Sequence, residues 1–145
     1  MKNAALVLQS KPDLTVYSIA PSQSVFEAIK LMAEKNIGAL LVMKGAEIVG
    51  IIAERDYARK IILTGRSSKE TPVSDVMNSP VQYVRPSHTT DQCMALMTRS
   101  RLRHLPVIDD GKLLGLLSIG DLVKNIISEQ QFIIEQLEHY IAGDR

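Results

Sequence analysis

With 145 residues, of which 46% are apolar and 23% charged, the chain has the size and make-up of one soluble globular domain or of two small units sharing a core. A net charge of +1 gives no broad basic field, which argues against a nucleic-acid partner. The single cysteine, Cys93, excludes an internal disulfide and suits a reducing cytoplasm; no apolar run reaches the roughly 20 residues of a membrane span, and Met1-Lys2-Asn3-Ala4 does not open a secretory signal.

Residues 4–9 are expected to form one or two helical turns before Lys11-Pro12. Thr15 to Ile19 reads as a short strand ended by Pro21. Ser24 and Glu27 have capping-box spacing and open a helix to about Lys35, with Val25, Ala28, Ile29 and Met32 on one apolar stripe. Ala39 to Met43 is a continuous apolar run, the pattern of a strand covered on both faces, and Lys44 to Glu47 turns it into a return strand at Ile48 to Ile52. A helix from about Arg55 to Leu63 is expected to stop at Thr64-Gly65. Arg66 to Glu70 reads as a polar linker. Thr71-Pro72 predicts an N-cap and first-turn proline for a short turn over 73–77, which Asn78-Ser79-Pro80 closes.

The second half repeats the order. Val81 to Val84 is expected as a strand, and Thr90, Cys93, Met94 and Met97 as the stripe of a helix. Asp109-Asp110-Gly111-Lys112 is a strong hairpin signal. Ser118-Ile119-Gly120-Asp121 then follows an apolar run and precedes a helical pattern. In the tail, Ile126, Ile127, Ile133, Ile134, Leu137 and Ile141 oppose Glu129, Glu135 and Glu138, which predicts an amphipathic helix packed on its own chain or on a second subunit.

A shift of 65 positions superposes the halves without a gap. Pro21-Ser22 falls on Pro86-Ser87, Leu31-Met32 on Leu96-Met97, Leu40 and Val42 on Leu105 and Val107, Gly50 on Gly115, and Asp56 on Asp121. Each copy reads β-α-β-β-α, and two copies imply a pseudo-symmetric pair rather than a solenoid. The expected divisions are 10–65, 73–128 and a helical tail over 129–145.

The repeat gives Ser118 and Asp121 chemical interest. A helix start attracts anions, and a hydroxyl there sits beside free backbone N–H groups. A first-turn carboxylate accepts hydrogen bonds from a sugar diol. The plainer reading is a helix cap. Cys93 reads as a buried side chain, His88 and His139 lack metal-site spacing, and Met32, Met94 and Met97 read as core.

This pattern resembles the cystathionine-β-synthase (CBS) domain family over roughly residues 10–128. The resemblance rests on Val16…Pro21, Ile37-Gly38-Ala39-Leu40-Leu41-Val42, Val49-Gly50-Ile51-Ile52 and Glu54-Arg55-Asp56. The second copy adds Arg103-His104-Leu105-Pro106-Val107-Ile108-Asp109 and Gly115-Leu116-Leu117-Ser118-Ile119-Gly120-Asp121. The chain looks like a small bacterial stand-alone pair. The resemblance implies an α/β fold of two CBS units packed sheet to sheet, plus the C-terminal helix.

It also implies clefts between the units for an adenosine-containing ligand: AMP, ATP, NAD or S-adenosylmethionine. Residue by residue, Asp121 would hold ribose hydroxyls and Ser118 would lie near phosphate, with Ile119 and Gly120 between them. Arg103 and His104 would meet phosphate charge, beside Pro106. Val16, Tyr17 and Ser18 would border the same cleft, with Tyr17 able to stack on a base. The first copy keeps Asp56 but has Ala53 for the hydroxyl and Gly38-Ala39 for the basic pair; Arg55, Arg59 or Lys60 would compensate in part. Two unequal clefts follow, the better one at Asp121, and a dinucleotide is a reasonable ligand. The expected function is a regulatory sensor, homodimeric and acting on an unidentified partner protein, with no metal, nucleic acid or membrane. A structural dimerisation module is the alternative. No P-loop, GxGxxG or HExxH supports an enzyme.

Overall fold

The computed structural model describes residues 2–142. The chain divides into two compact units, one of residues 15–82 and one of residues 2–14 with 83–142. The division in space therefore differs from the division of the repeat. Residues 2–14, which lead into the first repeat, pack with the second, and residues 66–82, which lead into the second, pack with the first.

In the first-repeat unit, β1 (Ser18–Ile19) pairs parallel with β2 (Ala39–Lys44), which pairs antiparallel with β3 (Glu47–Ala53). Helix α2 (Val25–Lys35) starts at Ser24, whose Oγ accepts from the Glu27 N–H at 3.2 Å. It ends at Asn36, in the left-handed region at φ 54°, with the Ile37 N–H returning to Met32 O. Val25, Ala28 and Met32 point into a core with Leu40, Val42, Ile52, Val73 and Val76. The last two come from the 70s segment, where Val73–Asp75 forms one 3-10 turn.

In the second-repeat unit, α4 (Thr90–Ser100) has both halves of a capping box, Thr89 with Gln92. Arg101 takes the left-handed cap at φ 55°, as Asn36 does in the other copy. Strands β4 (His104–Asp109) and β5 (Lys112–Ser118) form a hairpin whose central residues, Asp110 and Gly111, both have positive φ, the type I′ turn that Asp-Gly favours. Each hairpin carries a register shift at the same place, after Val42 and after Val107.

Matching glycines receive the exchanged segments. A Cβ on Gly50 would lie 2.5 Å from Met77 Sδ, and one on Gly115 would lie 2.8 Å from Leu8 Cδ2. Leu8 belongs to α1 (Ala4–Gln9), capped by Asn3 and tied by backbone bonds from Ala4 to His88 and from Ala5 to Pro86. Val7 and Leu8 are buried, each contributing about 2 kcal/mol by area.

Three expectations change. The Thr15–Ile19 strand shortens to Ser18–Ile19, and the Val81–Val84 strand reduces to one parallel bridge, Val84 with Val107. Proline explains the second. Leu41 donates to Tyr17 O in the first copy at 3.2 Å, but its counterpart is Pro106, which has no N–H to give Gln82. The Arg55–Leu63 helix is α only over α3 (Glu54–Tyr57); Ala58–Ile62 widens to a π turn. The tail is continuous with the second repeat in α5 (Ile119–Ala142), and residues 143–145 of the expected tail lie outside the described residues.

Gly115→Ala is expected to cost about 1–3 kcal/mol by overpacking. Adding Leu8→Ala should recover part of that loss, so chemical denaturation of the two single variants and the double should reveal non-additivity. Additive losses would mean that Leu8 is not what fills the dent.

Candidate functional site

Ser118 ends β5 and caps α5. Its Oγ accepts from the Asp121 N–H at 3.1 Å, and Asp121 Oδ2 accepts from the Ser118 N–H at 2.8 Å, a complete capping box. The Ile119 N–H donates to Arg103 O at 2.8 Å. The expectation of a hydroxyl beside free N–H groups is thus corrected: two of the first-turn donors already have partners. Lys11, just beyond α1, places its Nζ 3.0 Å from Asp121 Oδ2 and donates to Leu116 O at 2.7 Å. Asp121 Oδ1 has no protein partner among the described residues, and the side chain is 22% exposed. Beside it lies a hollow of about 250 Å³, lined by Lys2, Lys11, Lys124 and Asn125 among others, all within this unit.

Asp56 is placed alike and finished differently. Its Oδ2 accepts from the Ala53 N–H at 2.8 Å, but alanine has no hydroxyl to return the bond. The Asn78 amide donates to both carboxylate oxygens, at 3.2 and 3.1 Å, and Lys60 Nζ lies 3.4 Å from Oδ1. Lys60 also donates to Val76 O at 2.8 Å. The carboxylate is 8% exposed. Lys60 therefore turns inward to its own unit instead of reaching outward as a phosphate ligand. The difference lies in the sequence: the counterpart of Asn78 is Asp13, an acid that cannot donate to Asp121, and the counterpart of Lys60 is Asn125.

The expected residues separate by unit. Ser118, Ile119, Gly120, Asp121, Arg103, His104 and Pro106 belong to the second-repeat unit. Val16, Tyr17, Ser18, Gly38, Ala39, Arg55, Asp56 and Arg59 belong to the first. His104 faces Ser118 across β4 and β5; Arg103 is exposed and Pro106 buried. Burial pushes the His104 pKa down, and Lys11 and Arg103 add to that against the opposing pull of Asp121. The imidazole is neutral at pH 7 and supplies no phosphate charge. Tyr17 packs on the first core with the Lys35 ammonium 5.4 Å over its ring, so one face is already covered. The Gly38 carbonyl accepts from the Glu54 N–H, and Ala39 is buried in β2. Arg55 is half-buried and Arg59 exposed. Lys2, Lys11, Lys124, Asn125 and Asn78 escaped the sequence reading. For Asn125 and Asn78 the signal was present, because the same shift sets Asn125 against Lys60 and Asp13 against Asn78.

No group of three or more His, Cys, Asp or Glu among the described residues is placed to hold a metal ion, and no described helix is long and apolar enough to cross a membrane.

The CBS domain profile matches residues 12–63 and 73–128. The chain belongs to the CBS-domain family. The CBS pair is 57% identical to a protein with CBS domains from Burkholderia ambifaria MC40-6 assigned to signal transduction, with TM-score 0.86 over 89% of this chain and 96% of that one. It is 44% identical over 125 residues to the mitochondrial CBS domain-containing protein CBSX3 of Arabidopsis thaliana, covering 83% of this chain and 61% of the plant protein. It is 30% identical to a hexameric CBS-CP12 protein from bloom-forming cyanobacteria, with TM-score 0.75 over 85% of this chain and 70% of that one. Proteins built on CBS pairs are in general regulatory and signalling modules.

A His held neutral by burial has a folded pKa below its unfolded value of 6.5, so the unfolded state binds more protons in that window. Stability is full above pH 6.5 and falls as the pH drops from there through the folded pKa. His104→Gln should flatten the melting temperature between pH 7 and 5. An unchanged acid slope would place the titrating group elsewhere.

Proposed function

We propose that this CBS pair is an adenine-nucleotide sensor whose Asp121 accepts hydrogen bonds from the ribose hydroxyls of AMP, ATP or NAD. The observation that carries the reading is the unequal finish of the two acids. Asp121 keeps Oδ1 open beside a hollow rich in lysine. Asp56 is sealed by Asn78 and Lys60. This inequality favours a ligand gripped at Asp121 over a dinucleotide held equally at both acids. The module has no catalytic role on this reading: an acid paired to a lysine and a cap, without a second acid or base beside it, binds rather than reacts.

Self-association completes the proposal. Helix α5 leaves Ile127, Phe132, Ile133, Ile134, Leu137, Tyr140 and Ile141 exposed. Ile127, Ile134 and Ile141 recur every seven residues, with Val123 and Leu137 interleaved, a seam suited to a second copy of the same helix. The hexameric CBS-CP12 protein is a precedent for assembly by a chain similar to this one. A regulated partner protein would read the ligand state of such an assembly.

Thermal shift with AMP, ATP and NAD tests the first part. A ligand at about 100 times its Kd adds about 2.7 kcal/mol, a shift of several degrees. Asp121→Ala should abolish that shift. Asp56→Ala should lower the baseline by about 1 kcal/mol, through loss of the carboxylate that caps the Ala53 N–H, and keep the shift. A shift that survives in Asp121→Ala removes the reading. For the second part, Ile134→Lys with Leu137→Lys should reduce the assembled mass seen by light scattering. An unchanged mass would put the seam elsewhere.

A further inference from the structure

We infer that the hollow beside α5 takes the phosphorylated sugar end of the ligand, with Lys2 and Lys124 meeting the phosphate and Asn125 accepting from a ligand hydroxyl. The inference rests on the nucleotide reading and moves its anionic end away from Arg103 and His104. Four observations lead to it.

The hollow is lined by three lysines, Lys2, Lys11 and Lys124, and by one acid, Asp121. Lys11 is spent on Asp121 at 3.0 Å, while Lys2 and Lys124 form no ion pair with an acid among the described residues. The surplus charge is positive, and an anion is its complement. Phosphate suits lysine as a point charge.

Asn125 supplies the second kind of demand. Its residue is 6% exposed, and its Oδ1 has no hydrogen-bond partner. A buried carbonyl oxygen left unpaired is costly, and native proteins rarely tolerate one without a use. Asn125 follows Asp121 by one helical turn, so the two side chains share a face roughly 6 Å apart. Asp121 Oδ1 is also open. The hollow thus offers two acceptors, one turn apart, to a group with two donors.

The other copy shows what such acceptors need. There the donors come from inside the chain, Asn78 Nδ2 and Lys60 Nζ, both on Asp56. In the second copy the position of Asn78 holds Asp13, whose carboxylate has no hydrogen to give, the position of Lys60 holds Asn125, and the lysine on Asp121 is Lys11, 3.0 Å from Oδ2. Oδ1 of Asp121 and Oδ1 of Asn125 are left for donors from outside. A pair of hydroxyls beside a phosphate meets all of these demands, whereas a lone water would answer Asn125 and leave Lys2 and Lys124 without an anion.

Isothermal calorimetry with adenosine, AMP and inorganic pyrophosphate tests this on the whole chain. The double variant Lys2→Ala/Lys124→Ala changes surface positions and should fold. It should weaken AMP at least about tenfold while leaving adenosine unchanged. Asn125→Leu should raise the ligand-free melting temperature and weaken both adenosine and AMP. Equal AMP affinity in the lysine variant and wild type overturns the inference while the nucleotide reading stands, as does tighter folding of Asn125→Leu with unaltered binding. If wild type binds neither adenosine nor AMP, the nucleotide reading fails and pyrophosphate decides the hollow: binding lost in the lysine variant supports an anion site, and absence of binding overturns it. Should Asn125→Leu fail to fold, the AMP affinity of the lysine variant alone decides between the two outcomes.

Discussion

An ammonium held against a first-turn carboxylate is the contact around which each unit closes. Asp121 and Asp56 both turn back on their own helix start, accepting from the N–H of the residue three before. A cation stabilises a carboxylate so placed further, and the copies recruit it from different places. In one, Lys11 arrives from beyond α1 and also fastens to Leu116 O. In the other, Lys60 arrives from one turn along the same helix and fastens to Val76 O. Both lysines therefore join the helix start to a segment borrowed from the far side of the repeat boundary. One solution leaves an oxygen of the acid open; the other closes it.

The borrowed segments explain why the repeat cannot be cut at its sequence boundaries. Gly50 and Gly115 lack a side chain where Met77 and Leu8 enter, so each hairpin has a dent that its own repeat does not fill. Val73 and Val76 complete the first core, and Ala4, Val7 and Leu8 complete the second. A truncation at residue 10 would remove core side chains and not a loose leader.

Much of this was legible in the residues. The helix stripes, the Ser24 and Ser118 caps, the Asp-Gly turn and the repeat itself rest on local chemistry, and the coordinates agree at those places. The misses at Val84, Lys60 and Asn125 share one cause: they depend on partners distant along the chain. The Val81–Val84 strand fails because of a proline on the neighbouring strand, not because of its own residues. Lys60 reads as an outward cation because nothing nearby in sequence announces Val76 O and Asn78 Oδ1, which hold it inward beside its helix neighbour Asp56. Asn125 looked ordinary for the same reason. Aligning the two copies position by position, with donors and acceptors in mind, would have exposed both.

Pro106 carries a consequence for motion. By withholding one rung, it leaves the segment around Val84 attached to β4 through two backbone bonds, Val84 N–H to Pro106 O and Ile108 N–H to Val84 O. The matching segment around Ile19 has a further bond, from Leu41 to Tyr17. Local opening draws on the weakest tethers first. The backbone around Val84 should therefore exchange its amide hydrogens sooner than the backbone around Ile19, a difference traced to one missing hydrogen.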